Sequence, residues 1–158
     1  MMASALNVAA YVLQLQCGGD AGATCDTMKL QKLTYYSQGW FLAWKGVPLF
    51  EDRIEAWANG PVIRSLYSQH RGRYSLGLSD LLSIGDPEEL APEERSIIEA
   101  VNRSYGKLTG LQLSRLSHAE QPWKNARDRA GVSDGERSEE EIEIDEILQY
   151  FQGIASKQ

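Results

Sequence analysis

The 158-residue chain has few side chains that could form cross-links or hold a metal: two cysteines, Cys17 and Cys25, and two histidines, His70 and His118. Two cysteines are too few for a disulfide scaffold, which favours free thiols in a reducing compartment. The four residues also lack the closely spaced pairs that structural zinc sites use. The sequence therefore predicts neither a disulfide framework nor a metal site.

Long hydrophobic runs and targeting signals are also missing. No stretch approaches the ~18 consecutive apolar residues of a membrane span, and the N-terminus lacks the basic segment and apolar run of a signal peptide. The glycines at positions 18, 19 and 22 follow a predicted helix and precede no Walker lysine, so they do not form a phosphate loop. We expect a cytoplasmic protein without a cofactor and without membrane contact.

Positive charge is scarce, with 16 Lys and Arg against 22 Asp and Glu and a net charge of −6. This balance opposes binding to a phosphate backbone, so nucleic acid is not the expected partner. Residues 136–146 hold seven carboxylates and one arginine, a run typical of a solvated face or a flexible approach to the last helix. The rest is close to neutral, so a local basic surface stays open; its candidates are Arg64, Arg71, Arg73, Arg115, Lys124, Arg127 and Arg129.

The composition and the hydrophobic spacing predict the fold class. With 42% hydrophobic residues, the chain fits a single domain, residues 1–158, around one core. Alternating residues predict short strands at 54–58 and 142–144, which we expect to pair because each is too short to be stable alone. The expected class is α+β, mainly α, with five or six helices around one core and a small antiparallel sheet.

The longest helix is predicted over residues 26–45, where apolar residues follow helical spacing. Five aromatic residues within ten positions exceed what one buried stripe can hide, so we expect one or two of them to be exposed. The polar residues Lys29, Gln31, Lys32 and Gln38 are predicted on the other faces of this helix. Further along, Thr109 and Gln112 have the spacing of a helix capping box.

Cys25 and His118 form the one nucleophile and base pair of the cysteine-hydrolase type that the sequence offers. A cysteine is most often a small core residue, and a histidine near a helix end most often bonds to its neighbours. We therefore predict no catalytic residues and no enzymatic activity. A Cys25 and His118 hydrolase remains the third hypothesis, and it needs both side chains within hydrogen-bond reach in a cleft.

The motifs resemble those of the Panacea domain, the SocA-like antitoxin family. The resemblance rests on residues 28–40 (MKLQKLTYYSQGW), 46–50 (GVPLF), 54–62 (IEAWANGPV) and 66–67 (LY), and the later blocks extend it over nearly the whole chain. The segment 54–62 is its most specific part. The helix predicted to open at Pro92 departs from the family, because Ala91 stands where a Ser or Thr cap is expected.

The resemblance implies a small bacterial or phage-associated protein that acts as an antitoxin by binding a partner toxin directly. For some members it also implies an adaptor that delivers the toxin to a cytosolic protease. It carries over no catalytic residues, and it does not identify the toxin. The alternative function is a nucleic-acid-binding regulator of a phage or mobile element that uses the arginine-rich segments.

The candidate partner site is the block where a strand, a turn and a helix meet. Asn59 and Gly60 are predicted to turn the chain into a helix that begins at Pro61, which would hold the block rigid. Trp57 is either covered by the fold or presented to a partner, and both alternatives stay open. The expected partner-binding residues are Trp57, Asn59, Arg64, Tyr67 and His70.

Overall fold

The computed structural model describes residues 3–157, which form eight α-helices and two separate two-stranded antiparallel sheets. This confirms a mainly helical α+β fold, but the prediction of five or six helices and one sheet was too low on both counts. The helices are α1 (Ala5–Cys17), α2 (Thr27–Lys45), α3 (Arg64–His70), α4 (Leu81–Ile84), α5 (Pro92–Tyr105), α6 (Gly110–His118), α7 (Gln121–Ala130) and α8 (Ile144–Ala155). The strands are β1 (Thr24–Asp26), β2 (Ile54–Trp57), β3 (Gly60–Ile63) and β4 (Ser75–Gly77).

Helix α2 lies at the centre, with α1, α5, α6 and α8 packed around it. Its start is capped by Asp26, whose carboxylate accepts the Lys29 backbone N–H at 2.8 Å, and Gly46 ends it in the left-handed conformation. Trp44 is the exposed aromatic residue that the sequence led us to expect. Gln31, Lys32 and Gln38, predicted on the other faces of this helix, are buried as well, because helices surround α2 on several sides.

Gly39 lets α8 come close to α2. A Cβ atom at position 39 would lie 2.5 Å from the Phe151 ring, so any larger residue there would collide with that ring. Phe151 is fully buried and meets Tyr35, Tyr36 and Trp40 edge to face, with ring centroids 5.5–6.1 Å apart. This contact joins the last helix to the core.

Strand β2 continues into a hairpin, so the predicted helix start at Pro61 was wrong. A two-residue loop leads from Trp57 to Gly60, which pair with each other, and α3 begins only at Arg64. Ala56, opposite Pro61, donates its N–H away from β3, to the Glu140 carbonyl oxygen at 2.8 Å. The Ala56 and Pro61 pair therefore lies between ladder hydrogen bonds, where the missing N–H of proline costs nothing.

The second sheet, β1 with β4, was not expected from the sequence. It pairs Cys25 with Leu76, and both side chains are buried. The strands have three residues each, too few to show an alternating pattern. The stretch after Gly72 thus contributes a strand and the short helix α4.

Residues 142–144 were predicted to form a strand that pairs with β2. The contact with β2 is present, but these residues do not form a strand. Ile142 donates its N–H to the Ile54 carbonyl oxygen at 2.8 Å, and Glu55 forms an isolated bridge with Glu141. Ile144 already begins α8, because Asp145 and Glu146 fall in the first helical turn, where carboxylates are favourable.

The acidic run before α8 is held against the protein by arginines. Arg53 binds Glu141 at 3.1 Å, Arg64 binds Glu139 at 3.2 Å, and Arg129 binds Glu146 at 2.8 Å. Each of these ion pairs is at least partly exposed, so each contributes little alone. Together these ion pairs hold the acidic run against β2 and α7, so it is not a fully solvated face.

Candidate binding groove

One large concavity lies beside the hairpin, with a volume of about 800 Å³. We call it the basic groove. Its lining comes from α2, from the hairpin and α3, from residues 71–74 and from residues 135–139. All five residues predicted from the sequence line it: Trp57, Asn59, Arg64, Tyr67 and His70.

The aromatic wall of the groove is a chain of three rings. Trp57 and Tyr67 meet edge to face at 4.8 Å between centroids, and Tyr67 meets His70 in the same way at 5.5 Å. The Trp57 and Tyr67 rings are half-buried, while His70 is buried. Trp57 is thus covered only in part, since its ring packs against the protein and also lines the groove; its presentation to a partner stays a prediction.

Glu55 fixes the orientation of Trp57 and Arg64 from behind. Its buried carboxylate accepts hydrogen bonds from Trp57 Nε1 at 2.8 Å, Arg64 Nη1 at 3.2 Å and Arg53 Nε at 2.7 Å. Burial raises the pKa of Glu55, but these hydrogen bonds outweigh burial and hold that pKa below its ordinary value. The carboxylate therefore stays ionised and keeps the Trp57 and Arg64 side chains in place.

The hairpin loop is anchored through its backbone, as its proposed rigidity requires. Ser114 donates its hydroxyl to the Asn59 carbonyl oxygen at 2.6 Å, and Trp123 Nε1 donates to the Trp57 carbonyl oxygen at 2.8 Å. His118 Nε2 lies 2.8 Å from the Ala58 carbonyl oxygen. The Asn59 side chain consequently stands exposed on a fixed backbone.

The floor of the groove contains two residues that the sequence did not single out, Gln31 and Lys32. The Gln31 side chain accepts from the Ile63 N–H at 2.8 Å, and its Nε2 lies 3.1 Å from His70 Nε2. Burial lowers the pKa of His70, and the charge of Lys32 lowers it further. The polar residues within the long helix α2 were the available signal, because polar side chains of a buried helix are kept where they are hydrogen-bonded or serve a function.

Lys32 is 2% exposed and makes no ion pair among residues 3–157, and the small accessible part of its side chain includes the ammonium, which opens onto the groove. Burial lowers its pKa to about 8, and the nearby Asp26 opposes that shift only in part. Gly60 makes room for it, because a Cβ atom there would lie 2.7 Å from Lys32 Cε. The groove therefore has a buried cation at its base.

The Cys25 and His118 dyad is not formed. Cys25 is buried in β1 with its Sγ 3.5 Å from the Asp26 carbonyl oxygen, and burial raises the pKa of its thiol to about 12. Both ring nitrogens of His118 face backbone carbonyl oxygens, those of Ser114 and Ala58. Across the described residues, no three or more His, Cys, Asp or Glu side chains come together in a way that could hold a metal.

The arginines of the arginine-rich segments fall into two groups, those that line the groove and those that are bonded elsewhere in the protein. Arg64, Arg71 and Arg73 line the groove. Arg127 is buried and donates to the carbonyl oxygens of Ala56, Ser133 and Glu136, and Arg129 is paired with carboxylates. The latter two therefore add no free positive charge to the groove.

The fold and the groove describe a mainly helical protein with a concave surface whose lining holds more basic than acidic residues. The family profile described as antitoxin SocA-like, Panacea domain, matches residues 30–124, which include all five candidate residues. This match covers more than half of the chain, and the chain belongs to that family.

A curated relative supports the same assignment. The protein named Antitoxin SocA, from Caulobacter vibrioides (strain NA1000 / CB15N), is 33% identical over 112 residues. The aligned part is 62% of this chain and 57% of that protein, so the chain spans little more than half the length of this relative. No solved structure matches the chain significantly. None of the helices between residues 3 and 157 is long and apolar enough to cross a membrane.

Proposed function

We propose that this protein neutralises a partner toxin in the cytoplasm by binding it, without a cofactor and without catalysis. Membership of an antitoxin family supports a toxin as the kind of partner. The observation that carries the proposed location is that five residues chosen from the sequence line one groove on a backbone held by Ser114, His118 and Trp123.

The contact surface is the edge of the basic groove. Trp57 and Tyr67 act as aromatic anchors, a role in which these residue types dominate interface energies. Arg64, His70 and the exposed Asn59 supply polar contacts beside them. Because Glu55 already fixes the Trp57 and Arg64 side chains, these two lose little conformational entropy on binding.

Two mechanisms of neutralisation use this same binding step. The protein either masks the active surface of the toxin or, as an adaptor, delivers the bound toxin to a cytosolic protease. Depleting cellular proteases separates them, since a masked toxin stays inert without a protease whereas a toxin that must be degraded becomes active again.

Tyr67→Ala and Trp57→Ala are expected to weaken binding of the toxin encoded by the adjacent gene by about thirtyfold, the effect of losing an anchor of ~2 kcal/mol. The measurements are calorimetric affinity and rescue of growth on co-expression. The matched control is Trp44→Ala, which removes an exposed aromatic residue outside the groove and should leave affinity unchanged. Melting temperatures of all three variants identify any loss that is due to unfolding.

Two results would contradict the proposal. Normal toxin binding by folded Trp57 and Tyr67 variants would move the contact surface away from the groove. Failure of the wild-type protein to bind or neutralise the product of the adjacent gene would contradict its antitoxin action on that partner.

A further inference from the structure

The charge of the basic groove is opposite to that of the whole chain, whose net charge is −6. Five lining residues are basic and one is acidic. The basic ones are Lys32, Arg64, Arg71, Arg73 and Arg137, and the acidic one is Glu139. A concave surface with this sign concentrates anions.

Part of this charge is already used by the protein. Arg64 is paired with Glu55 and Glu139, and Arg73 is paired with Asp80 at 3.0 Å. Among residues 3–157, Arg71 and Lys32 have no ion pair. Arg137 is 93% exposed in its side chain and reaches Glu139 only at 3.9 Å. The groove therefore holds free positive charge both at its floor and at its rim.

Lys32 is the strongest indication of a ligand. A buried charge without a partner is costly, and proteins keep such groups mainly where function requires them. Its side chain lies between the groove and Gly60, where a larger residue would collide with it. An anionic group at the floor would give this ammonium the partner that residues 3–157 do not provide.

The groove is large enough to hold a small ligand at this floor. Its volume of about 800 Å³ is within the roughly 300–1,000 Å³ typical of small-molecule sites. Its wall presents the half-buried rings of Trp57 and Tyr67, with the Arg64 guanidinium 6.0 Å from the centre of the Trp57 ring. A groove that holds free cations and has aromatic rings in its wall suits a phosphate group carried on an aromatic base.

We propose that the basic groove binds a nucleotide, with a phosphate group on the Lys32 ammonium and the base against the Trp57 and Tyr67 rings. Arg71 adds a second contact to the phosphates from the rim. This site shares the Trp57 and Tyr67 rings with the proposed toxin contact, so a nucleotide and the toxin would compete for them; nucleotide binding itself is tested on the purified protein alone.

Calorimetry with ADP, adenosine and inorganic pyrophosphate tests the proposal at 150 mM salt. ADP is expected to bind in the micromolar range and at least about tenfold more tightly than either part alone, because it uses both the cations and the rings. Lys32→Met is expected to weaken ADP binding about tenfold or more, since it removes a charged contact to the phosphate. Lys29→Met, on the same helix but outside the groove lining, is the matched control and should bind ADP as the wild type does.

Two more variants separate loss of contact from loss of fold. Arg71→Gln changes an exposed side chain and should weaken ADP and pyrophosphate binding alike without changing the melting temperature. Tyr67→Leu should weaken ADP and adenosine while leaving pyrophosphate unchanged. Lys32→Met should melt at a higher temperature than the wild type, because it removes an unpartnered buried charge.

Four results would overturn the proposal. The first is no ADP binding to the wild type at millimolar concentration, and the second is unchanged ADP binding by both Lys32→Met and Arg71→Gln. The third is tighter binding of a twelve-residue oligodeoxyadenylate than of ADP, which would indicate a nucleic-acid surface. The fourth is tighter binding of an oligoglutamate peptide than of ADP, which would indicate an acidic protein segment.

Discussion

Phe151→Ala is expected to lower the free energy of unfolding by about 3–5 kcal/mol, the usual effect of deleting a buried phenylalanine side chain. The ring is fully buried and packs edge to face on Tyr35, Tyr36 and Trp40 of α2. It also fills the space above Gly39, so its removal leaves a cavity that the surrounding helices can close only in part. Urea unfolding followed by circular dichroism measures the change.

A control and a double-mutant cycle make this prediction specific. Tyr74→Ala removes an aromatic ring that is 92% exposed and should change stability by less than about 0.5 kcal/mol. Gly39→Ala should destabilise the wild type strongly, because its Cβ meets the Phe151 ring, and much less in the Phe151→Ala background. Additive effects of the two substitutions would show that α8 does not pack on Gly39 as described.

We expect the wild-type protein to lose stability as the pH rises from about 4.5 to 7, and we expect Glu120→Gln to remove this loss. Glu120 is buried, and Tyr36 donates its hydroxyl to Oε1 at 2.8 Å. Burial raises the pKa of this carboxyl from 4.5 to about 7, although its hydrogen bonds with Tyr36 and Tyr150 oppose the rise. The folded state therefore holds a proton that the unfolded state releases.

The sign of the effect follows from proton linkage. Below pH 4.5 the carboxyl is neutral in both states, and as the pH rises through 7 the folded protein must ionise a buried group. At about 1.4 kcal/mol per pKa unit, this costs the wild type roughly 3 kcal/mol of stability by pH 8. Glu120→Gln should be more stable than the wild type at pH 8 and nearly equal to it at pH 4.5.

Thermal unfolding from pH 4.5 to pH 8.5 measures this difference. Glu51→Gln, which changes an exposed carboxyl, is the control and should follow the wild-type curve throughout. Parallel curves for Glu120→Gln and the wild type would mean that folding does not raise the pKa of Glu120.

The sequence predicted the parts of this fold that local chemistry controls. Thr109 and Gln112 form the expected capping box, Pro92 opens α5, and Asp26 caps α2, since each depends on residues a few positions apart. Ala91, which precedes Pro92, has no side chain that could cap the helix. Its backbone N–H donates to the Glu94 carboxylate at 2.7 Å.

The predictions that were wrong all concern residues whose structure depends on contacts with distant parts of the chain. In the sequence, Pro61 is as compatible with the first turn of a helix as with a strand. Only the contact between Ala56 and Glu140 shows that its missing N–H lies outside the β2–β3 ladder. The acidic run was expected in solvent because its arginine partners are far away in sequence. In the groove, Trp57 and Tyr67 could be chosen by residue type, whereas Lys32 could not, because its burial follows from helices that surround α2.

The order in which α2 and α8 are synthesised has a consequence for timing in the cell. Roughly a hundred residues separate the end of α2 from the start of α8. A ribosome that adds about 5–20 residues per second needs roughly 5–20 s to make that stretch. During this interval the aromatic surface of α2 has already been synthesised, but Phe151, which will cover it, has not. The nascent chain therefore cannot complete its core. The core can therefore be completed only after α8 has been synthesised, seconds after α2 has been made, through chain topology alone.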